Sequence, residues 1–527
     1  MTKKINELVE PSLDAIDYKV KERKKFFNSS YVETKFLTKV CNSNCYYIIG
    51  EKGVGKTALA FHMQQTSPKN ISSKLISISE TQYTRFIKLK ENGKLDYTDY
   101  SIIWRATLLY LMAKLVIEKE RTWVHRINRK FADIEKAINK YDQESHIPEL
   151  EYVVEFVTTL TQSSEISGSL PETAKAGLNE SNSQTKKLTS REIKLALLEC
   201  EKILKAGLQG IKLSSDVALF IDGLDAKPNE VDFAEYQKCL IGLAEAAWHL
   251  NSDYFASIKD THGRMRCVLL LRPDVFDSLN LHNSNCKLED NSVIFDWQTT
   301  NDNYRDSDIF NISNKYFTSQ LGSSSGWNAY FQEQGGSESE SFKYLLKHSF
   351  HRPRDIFAAI KTLISINANQ PDKSNFHFEE IKSSKFTDKF SEYLLGEVKN
   401  YANYYITNKE FDDCIVFFQY LHGSTKFSYQ DFIDAYNEFI KSPNNSAVQS
   451  LSIAKSAEAY LQFWYSVNVI GYTESLAASG GGYWHWSYRE RSPSKVMPRV
   501  KENCNYKVNF GVAKSLNLGK KFRSNPK

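Results

Sequence analysis

The chain has 527 residues, which is too long for one hydrophobic core and predicts about three domains. Hydrophobic residues make up 41% and charged residues 25% of the sequence, a balance that is typical of a globular protein and excludes a mainly disordered chain. The net charge is +5, but residues 487–527 contain eleven Lys or Arg residues and two Glu residues, so this end carries +9 and the rest −4. The charge distribution therefore predicts an anionic partner for the C-terminal end.

The start of the chain and its apolar runs favour a soluble, cytoplasmic protein without a membrane partner. The first residues, MTKKINELVEPSLD, lack the apolar centre of a signal peptide, and no run approaches eighteen consecutive apolar residues. Residues 1–35 instead contain charged segments with apolar residues at helical spacing, which predicts a helical N-terminal lead. Such a lead can pack beside a bound nucleotide.

A glycine-rich loop follows a short apolar strand at 46–49. Residues 50–57 read GEKGVGKT and match the pattern G-x-x-x-x-G-K-[ST] without a mismatch. The glycines let successive backbone N–H groups point into one concavity, and the positive end of the following helix attracts anions. Lys56 would reach the terminal phosphates of a nucleoside triphosphate, and the Thr57 hydroxyl would bind Mg²⁺. The predicted nucleotide-binding residues in this segment are Gly50, Glu51, Lys52, Gly53, Val54, Gly55, Lys56, Thr57 and Ala58.

Between this loop and the next acidic strand, the sequence predicts a second strand, an apolar helix and an insertion. Residues 74–79 alternate in polarity, which favours a second strand of the same sheet. Residues 100–112 predict an apolar helix whose aromatic side chains fit a core better than a surface that stacks on bases. Residues 163–190 are rich in Ser, Thr, Gly and Asn and predict a loop or protruding insertion, after which a helix starts at Arg191.

A second acidic strand supplies the other half of the predicted site. Residues 217–221 are apolar, which favours a central parallel strand, and Asp222 follows at the carboxyl end, where α/β sheets place their ligands. Asp222 would complete the Mg²⁺ shell as the Walker B residue, or it caps the next element. Asp225 would polarise the attacking water, with a capping role or a water-mediated contact to magnesium as the alternatives.

A further apolar strand at 266–272 ends in Arg272. A polar side chain at this position, beside the Walker B strand, can sense the γ-phosphate or order the attacking water. The alternative is a surface ion pair with Asp274 or Asp277. Residues 293–297 then predict the strand that closes the sheet.

The sequence is predominantly helical from about Asp308, which predicts a lid beyond the sheet. Pro353 stands near the first turn of a helix, the position where proline costs least. Arg352 and Arg354 flank this proline, and either would contact the nucleotide from the lid side. The alternative is a charge pair at the helix start, and the sequence does not distinguish between the two arginines.

The last third of the chain has the element order of a winged helix. Three helices are predicted at 411–422, 428–440 and 454–467, followed by two short strands around a glycine-rich loop. Trp484, Trp486 and Tyr488 alternate as one strand face that contacts nucleic acid or covers a small core. Winged helices bind DNA or proteins, so the predicted partner of the basic end is duplex DNA or a docking protein.

With these motifs, the chain resembles bacterial P-loop ATPases of the STAND/AAA-like, additional-strand group. The resemblance rests on the P-loop, FIDGLD at 220–225, LRPDVF at 271–276, IFDW at 294–297 and RPRD at 352–355, and it spans roughly residues 15–365. It implies a sheet in which an extra strand separates the P-loop strand from the Walker B strand. It also implies that ATP and Mg²⁺ drive assembly or switching, as in relatives linked with DNA transactions or antiphage immunity. The D-G-L-D sequence differs from the D-E of AAA+ motors, and no arginine finger is obvious, so slow hydrolysis is expected.

The predicted architecture is an α/β fold with a P-loop NTPase parallel sheet flanked by helices, followed by a helical lid and a C-terminal winged-helix-like domain. The predicted boundaries are 1–35 for the lead, 36–307 for the ATPase core with 163–190 inserted, 308–405 for the lid, and 406–527 for the winged-helix-like domain with its basic tail.

The leading functional hypothesis is an ATPase switch whose nucleotide state controls homo-oligomer assembly or the docking of a partner. One alternative is a DNA-binding, initiator-like module in which ATP is mainly structural. Another is a scaffold for a separately encoded effector protein. Phosphoryl transfer to a small substrate is disfavoured, because the chain beyond the sheet predicts a lid and a docking module and no substrate pocket.

Overall fold

A computed structural model describes the chain at residues 3–80, 83–84, 87, 99–127, 190–228, 230–259, 261–299, 304–321, 326–331, 340–474 and 483–519. The predicted insertion at 163–190 lies outside the described residues, except for Ser190 at the start of a helix. The glycine-rich loop at 475–482 and the tail from residue 520 also lie outside them.

A five-stranded parallel sheet forms the centre of the first half of the chain. Its strands are β1 Tyr47–Ile49, β2 Ser72–Ser77, β3 Val217–Asp222, β4 Met265–Leu271 and β5 Ser292–Ile294. The strand order is β2-β3-β4-β1-β5, so β4 lies between β1 and β3 and the expected extra strand is present. Strands β1 and β4 are buried throughout, which explains why they are apolar apart from Arg266. The predicted α/β architecture with a parallel sheet is confirmed.

Helices flank this sheet. In chain order they are α1 Lys21–Ser30, α2 Lys35–Val40, α3 Lys56–Thr66, α4 Asp99–Ile127, α5 Ser190–Gln209, α6 Phe233–His249, α7 Pro273–Ser278 and α8 Ser284–Asn291. Helix α4 packs against α5 and α6. Among the described helices, one stretch of α4, Tyr100–Lys119, is long and apolar enough to cross a membrane, and 83% of its apolar window is buried inside the structure. Packing on several sides accounts for this apolar character.

A helical region follows the sheet, as predicted from about Asp308. Its helices are α9 Asp308–Leu321, α10 Gly326–Tyr330, α11 Glu340–Lys347, α12 Pro353–Ile366, α13 Phe378–Lys382 and α14 Ser384–Ala402. Pro353 occupies the first turn of α12, where its missing N–H group costs no helical hydrogen bond. One hydrophobic core runs from Ile48 in β1 through Phe317 in this region to Trp464 in the C-terminal part.

The C-terminal part combines helices with a four-stranded antiparallel sheet. The helices are α15 Asn408–Ile415, α16 Tyr429–Lys441, α17 Ser446–Gln449, α18 Ala457–Ser466 and α19 Phe510–Ala513. The strands are β6 Lys426–Ser428, β7 Ile470–Thr473, β8 Trp484–His485 and β9 Asn505–Val508, in the order β6-β9-β7-β8. Three main helices precede β7 as expected, but the sheet exceeds the two predicted strands, which correspond to β7 and β8, because β9 pairs with β7 and β6 pairs with β9.

The predicted single strand face of Trp484, Trp486 and Tyr488 is wrong. Strand β8 ends at His485, and Tyr488 lies in a 3₁₀ turn. The ring of Trp486 instead lies over Gly471, where an added Cβ would come within 2.8 Å of the indole. Since Trp486 is only 8% exposed, it covers the small sheet and does not face a ligand.

Candidate functional site

A cleft of about 310 Å³ lies at the carboxyl ends of β1, β3 and β4. The glycine-rich loop, the N-terminal segment at 12–34 and the start of α12 line it. The sequence-predicted residues that it brings together are Lys52, Gly53, Val54, Gly55, Lys56, Thr57, Ala58, Asp222, Asp225, Arg272 and Arg354. Gly50, Glu51 and Arg352 do not line the cleft, and they lie around a smaller cavity behind the loop.

The glycine-rich loop presents unpaired backbone donors to the cleft. Gly53 and Gly55 have φ values of +86° and +97°, a region that favours glycine, and they bend the backbone into a concave turn. Within the described part of the chain, six N–H groups of cleft-lining residues in this segment donate no hydrogen bond: those of Lys52, Gly53, Gly55, Lys56, Thr57 and Ala58. Helix α3 begins at Lys56, so the positive end of its dipole adds to these donors. The turn has the form of an anion cradle.

Lys56 is buried beneath this turn. Its Nζ donates to the carbonyl oxygens of Gly50 at 2.7 Å and Glu51 at 3.0 Å. Burial lowers the pKa of Lys56 to about 8, although the nearby carboxylates of Asp222 and Asp225 act in the opposite direction. An anion in the cleft would therefore stabilise the protonated amine.

Thr57 and Asp222 meet at the edge of the cleft. Thr57 Oγ1 donates to Oδ2 of Asp222 at 2.5 Å, and the N–H of Gly223 donates to Oδ1 at 2.8 Å. Burial raises the pKa of Asp222 even though both hydrogen bonds lower it. A hydroxyl and a carboxylate in contact suit Mg²⁺, which prefers oxygen ligands and retains several waters. No group of three or more His, Cys, Asp or Glu side chains among the described residues could hold a metal alone, so phosphate oxygens and water would complete the shell.

Arg272 links the cleft to the helical region. Its guanidinium lies 3.6 Å from Asp225, donates to both carboxylate oxygens of Asp274 at 3.0 and 2.5 Å, and stacks on the Tyr401 ring at 3.7 Å. The pair with Asp274 that the sequence suggested exists, but it is buried and not at the surface, since Arg272 is 2% exposed. Burial would raise the pKa of Asp225, but Arg272, Lys52 and Lys56 outweigh it and hold that pKa below its usual value. Asp225 is therefore ionised.

The two arginines at the start of α12 have different positions. Arg352 forms a buried pair with Asp355, with Nη2 2.6 Å from Oδ1, and its Nη1 donates to the carbonyl of Lys52 at 2.8 Å. Arg354 lines the cleft, and its side chain lies over Gly53, 3.1 Å from where a Cβ would stand. Arg352 therefore contacts the loop from outside the cleft, and Arg354 lines the cleft itself.

The Glu51 side chain points away from the cleft towards the C-terminal part. It forms an ion pair with Arg491 and accepts a hydrogen bond from the amide of Asn468 at 2.8 Å. Glu51 is 5% exposed, so this contact is buried. Sequence reasoning missed Arg491 and Asn468 because they lie 440 and 417 residues from Glu51, and no local pattern marks such a pairing.

Aromatic and apolar side chains form the other end of the cleft. The aromatic residues that line the cleft are Tyr18, Phe27, Tyr31, Phe295, Trp297, Tyr316 and Phe357. Tyr31 is fixed by stacking on His62 of α3, with the ring centroids 3.8 Å apart, and Phe27 packs edge-on against Phe61 at 5.3 Å. The N-terminal lead is thus placed beside the cleft and supplies part of its apolar wall.

The chain has an α/β fold whose five-stranded parallel sheet is compatible with a P-loop-like fold. Comparison of the chain with models of known protein families gives no match, and no curated protein matches it either.

Proposed function

We propose that the protein is a P-loop ATPase that binds MgATP, hydrolyses it slowly and uses its nucleotide state to control assembly or partner docking. One observation carries the proposal. The unpaired N–H groups of the glycine-rich turn face the same cleft as Lys56, Thr57, Asp222 and Asp225. That combination suits a phosphate chain with a divalent cation.

Each group has a task in this proposal. The turn and Lys56 would hold the phosphates, Arg354 would contact them from the lid side, and the aromatic end would hold the base. Thr57 and Asp222 would hold Mg²⁺, which offsets the phosphate charge when bound. Asp225 would orient the water that attacks the γ-phosphorus as ADP leaves. A carboxylate with a lowered pKa is a weak proton acceptor, which favours slow hydrolysis.

The contacts around Arg272 support a switch. Tyr401, on which Arg272 stacks, lies near the end of α14, the last helix before the C-terminal part. A γ-phosphate near Asp225 would compete for the same guanidinium and so bias the position of α14. The resemblance to STAND/AAA-like ATPases favours a homo-oligomer or an effector protein as the controlled partner, in DNA transactions or antiphage defence.

Lys56→Ala tests the proposal, with Lys212→Ala at an exposed position as the matched control. Titration calorimetry measures MgATP binding, and phosphate release measures turnover. The wild type and the control should bind and hydrolyse MgATP, whereas Lys56→Ala should lose both. Asp225→Asn should keep binding and lose turnover, and light scattering with and without ATP reports assembly. Turnover that is unchanged in Lys56→Ala would contradict the proposal.

A second candidate function, nucleic-acid binding where the C-terminal part adjoins α11, is favoured by three lysines. Lys507 pairs with Lys426 across the sheet and is 8% exposed. Its Nζ lies 3.4 Å from the ring centroid of Phe510, and Nζ of Lys347 lies 4.8 Å from the same ring. Within the described part of the chain, none of these lysines has a carboxylate partner. Burial and the two other lysines lower the pKa of Lys507 to about 8, and a phosphate backbone would offset this repulsion.

The basic end is less available to DNA than its charge count indicates. Arg491 pairs with Glu51, Lys501 with Glu474 at 2.5 Å and Lys514 with Asp388 at 2.5 Å. Deletion of 487–527 would also remove β9, which pairs with both β6 and β7, so the deletion would damage the domain.

Substitution of the lysines is a cleaner test. Lys347→Gln/Lys426→Gln should weaken duplex DNA binding and reduce the slope of log affinity against log salt by about two. Lys441→Gln/Lys455→Gln, at exposed lysines of the same part, is the control. Fluorescence anisotropy across a salt series measures both, and an unchanged slope in the first variant rejects this candidate.

A further inference from the structure

We infer that Arg491 and Asn468 are positioning residues for the phosphate-binding turn, so that docking of the C-terminal part sets the affinity for nucleotide. The inference rests on the proposed function, because it concerns regulation of the same cleft. It adds a specific series of contacts. The C-terminal part binds the Glu51 side chain, and the backbone carbonyl of Glu51 accepts a hydrogen bond from Lys56.

The first link in this route is a buried ion pair with a second donor. The carboxylate of Glu51 meets the guanidinium of Arg491, and the amide nitrogen of Asn468 donates to the same oxygen at 2.8 Å. The side chains of both charged residues are 6% exposed, and Asn468 is 3% exposed. A carboxylate removed from water in this way depends on these two donors, since an unpaired buried charge is strongly destabilising.

The second link fixes both donors within the C-terminal part. Arg491 Nη2 donates to the hydroxyl of Ser487 at 3.0 Å, so the guanidinium is oriented by its own segment. Asn468 adopts a left-handed conformation with φ of +64° directly after α18, and its side-chain oxygen accepts the N–H of Tyr488 at 3.0 Å. Both donors therefore move with the end of α18 and the turn at 487–491.

The third link connects Glu51 to the ligand position. The backbone carbonyl of Glu51 accepts a hydrogen bond from Nζ of Lys56 at 3.0 Å. Displacement of the Glu51 side chain would shift this carbonyl and the neighbouring N–H groups of the turn. Because phosphate binding requires convergent donors, a small displacement of the turn lowers affinity.

The coupling is reciprocal. If docking raises the affinity for MgATP, then MgATP must stabilise docking by the same factor. Hydrogen exchange of the segment at 466–491 should therefore slow when MgATP binds to the full chain.

Arg491→Gln and the double variant Glu51→Gln/Arg491→Gln test the route. Arg491→Gln leaves Glu51 charged and half-paired, and the dissociation constant for MgATP should rise about tenfold. The double variant has no unpaired charge at this contact and should recover most of the affinity. Lys495→Gln, exposed in the same segment, is the control. If Arg491 served only to fold its own domain, Glu51→Gln would not rescue the loss, so a loss without rescue overturns the inference.

Asn468→Asp keeps the hydrogen bond to Tyr488 and the tolerance for positive φ, but it places an acceptor against Glu51. MgATP affinity should fall in this variant while the circular dichroism spectrum stays unchanged. Wild-type affinity in both Asn468→Asp and Arg491→Gln would overturn the inference. A wild type that binds no MgATP would instead reject the proposed function, so the two failures are distinguishable.

Discussion

The inner and outer sides of the glycine-rich turn differ in how completely their polar groups are paired. On the inner side, the N–H groups of six cleft-lining residues have no acceptor in the described part of the chain. On the outer side, the carbonyls of Lys52 and Gly53 accept hydrogen bonds from the start of α12, and Glu51 is held by two donors. Folded proteins pair nearly all buried polar groups. The unpaired side therefore indicates where a ligand binds, and the paired side indicates what supports that surface.

Single substitutions of the two arginines at the start of α12 should have different effects: one should mainly lower stability, and the other should mainly weaken MgATP binding. Arg352→Ala leaves Asp355 buried without its partner, so the free energy of unfolding should fall by about 3–5 kcal/mol. The side chain of Arg354 is 22% exposed and has one contact at 3.4 Å to Glu397. Arg354→Ala should change the free energy of unfolding by less than about 1 kcal/mol and weaken MgATP binding. Chemical denaturation and calorimetric titration measure these effects, and equal destabilisation in both variants would remove the distinction.

A methyl group added at Gly53 should change only the cleft-facing side of the turn. At φ of +86°, Gly53→Ala costs about 1–2 kcal/mol and places its Cβ 3.1 Å from two carbons of Arg354. MgATP affinity should fall about tenfold.

Gly396→Ala is the matched control for this substitution. Gly396 lies within α14, and no atom lies within 4 Å of an added Cβ. The control should raise the free energy of unfolding by about 0.5–1 kcal/mol without changing binding. Normal MgATP affinity in Gly53→Ala would show that the turn tolerates a different shape.

The pH dependence of MgATP affinity should report the protonation of the buried Lys56 amine. Phosphate binding uses the protonated form of Lys56, whose pKa is about 8. Apparent MgATP affinity should therefore fall as pH rises above about 8, by up to about tenfold per unit. Calorimetric titration at several pH values measures this, and an affinity that stays flat to high pH would contradict a role for the charge.

The same pKa has the opposite effect on stability. The pKa of Lys56 is about 8 in the folded protein and has its ordinary value of 10.5 in the unfolded chain. Between these values the unfolded chain binds more protons, so this residue makes the free energy of unfolding rise with pH. The difference between wild type and Lys56→Met isolates that contribution.

Local patterns in the sequence predicted the strands, their parallel pairing and the residues of the turn. The P-loop pattern spans eight residues, and the runs at 217–221 and 267–271 are apolar because both faces of the sheet are covered. The roles of Arg352 and Arg354 could not be separated, since both stand at one helix start and only the orientation of α12 decides which faces the cleft. The pairing of Glu51 with Arg491 depends on how distant segments pack, which no spacing in the chain encodes. The winged-helix assignment and the functional roles remain predictions.

The continuous core from Ile48 to Trp464 has a practical consequence for dissecting this chain. Fragments cut near residues 307 or 405 would each expose apolar surface that the missing piece covers in the whole molecule. Such fragments should self-associate or fail to fold, and their loss of activity would say little about any domain. Point substitutions in the intact chain are therefore the appropriate way to assign roles, because the C-terminal part contributes to the same hydrophobic core as the sheet and the helical region.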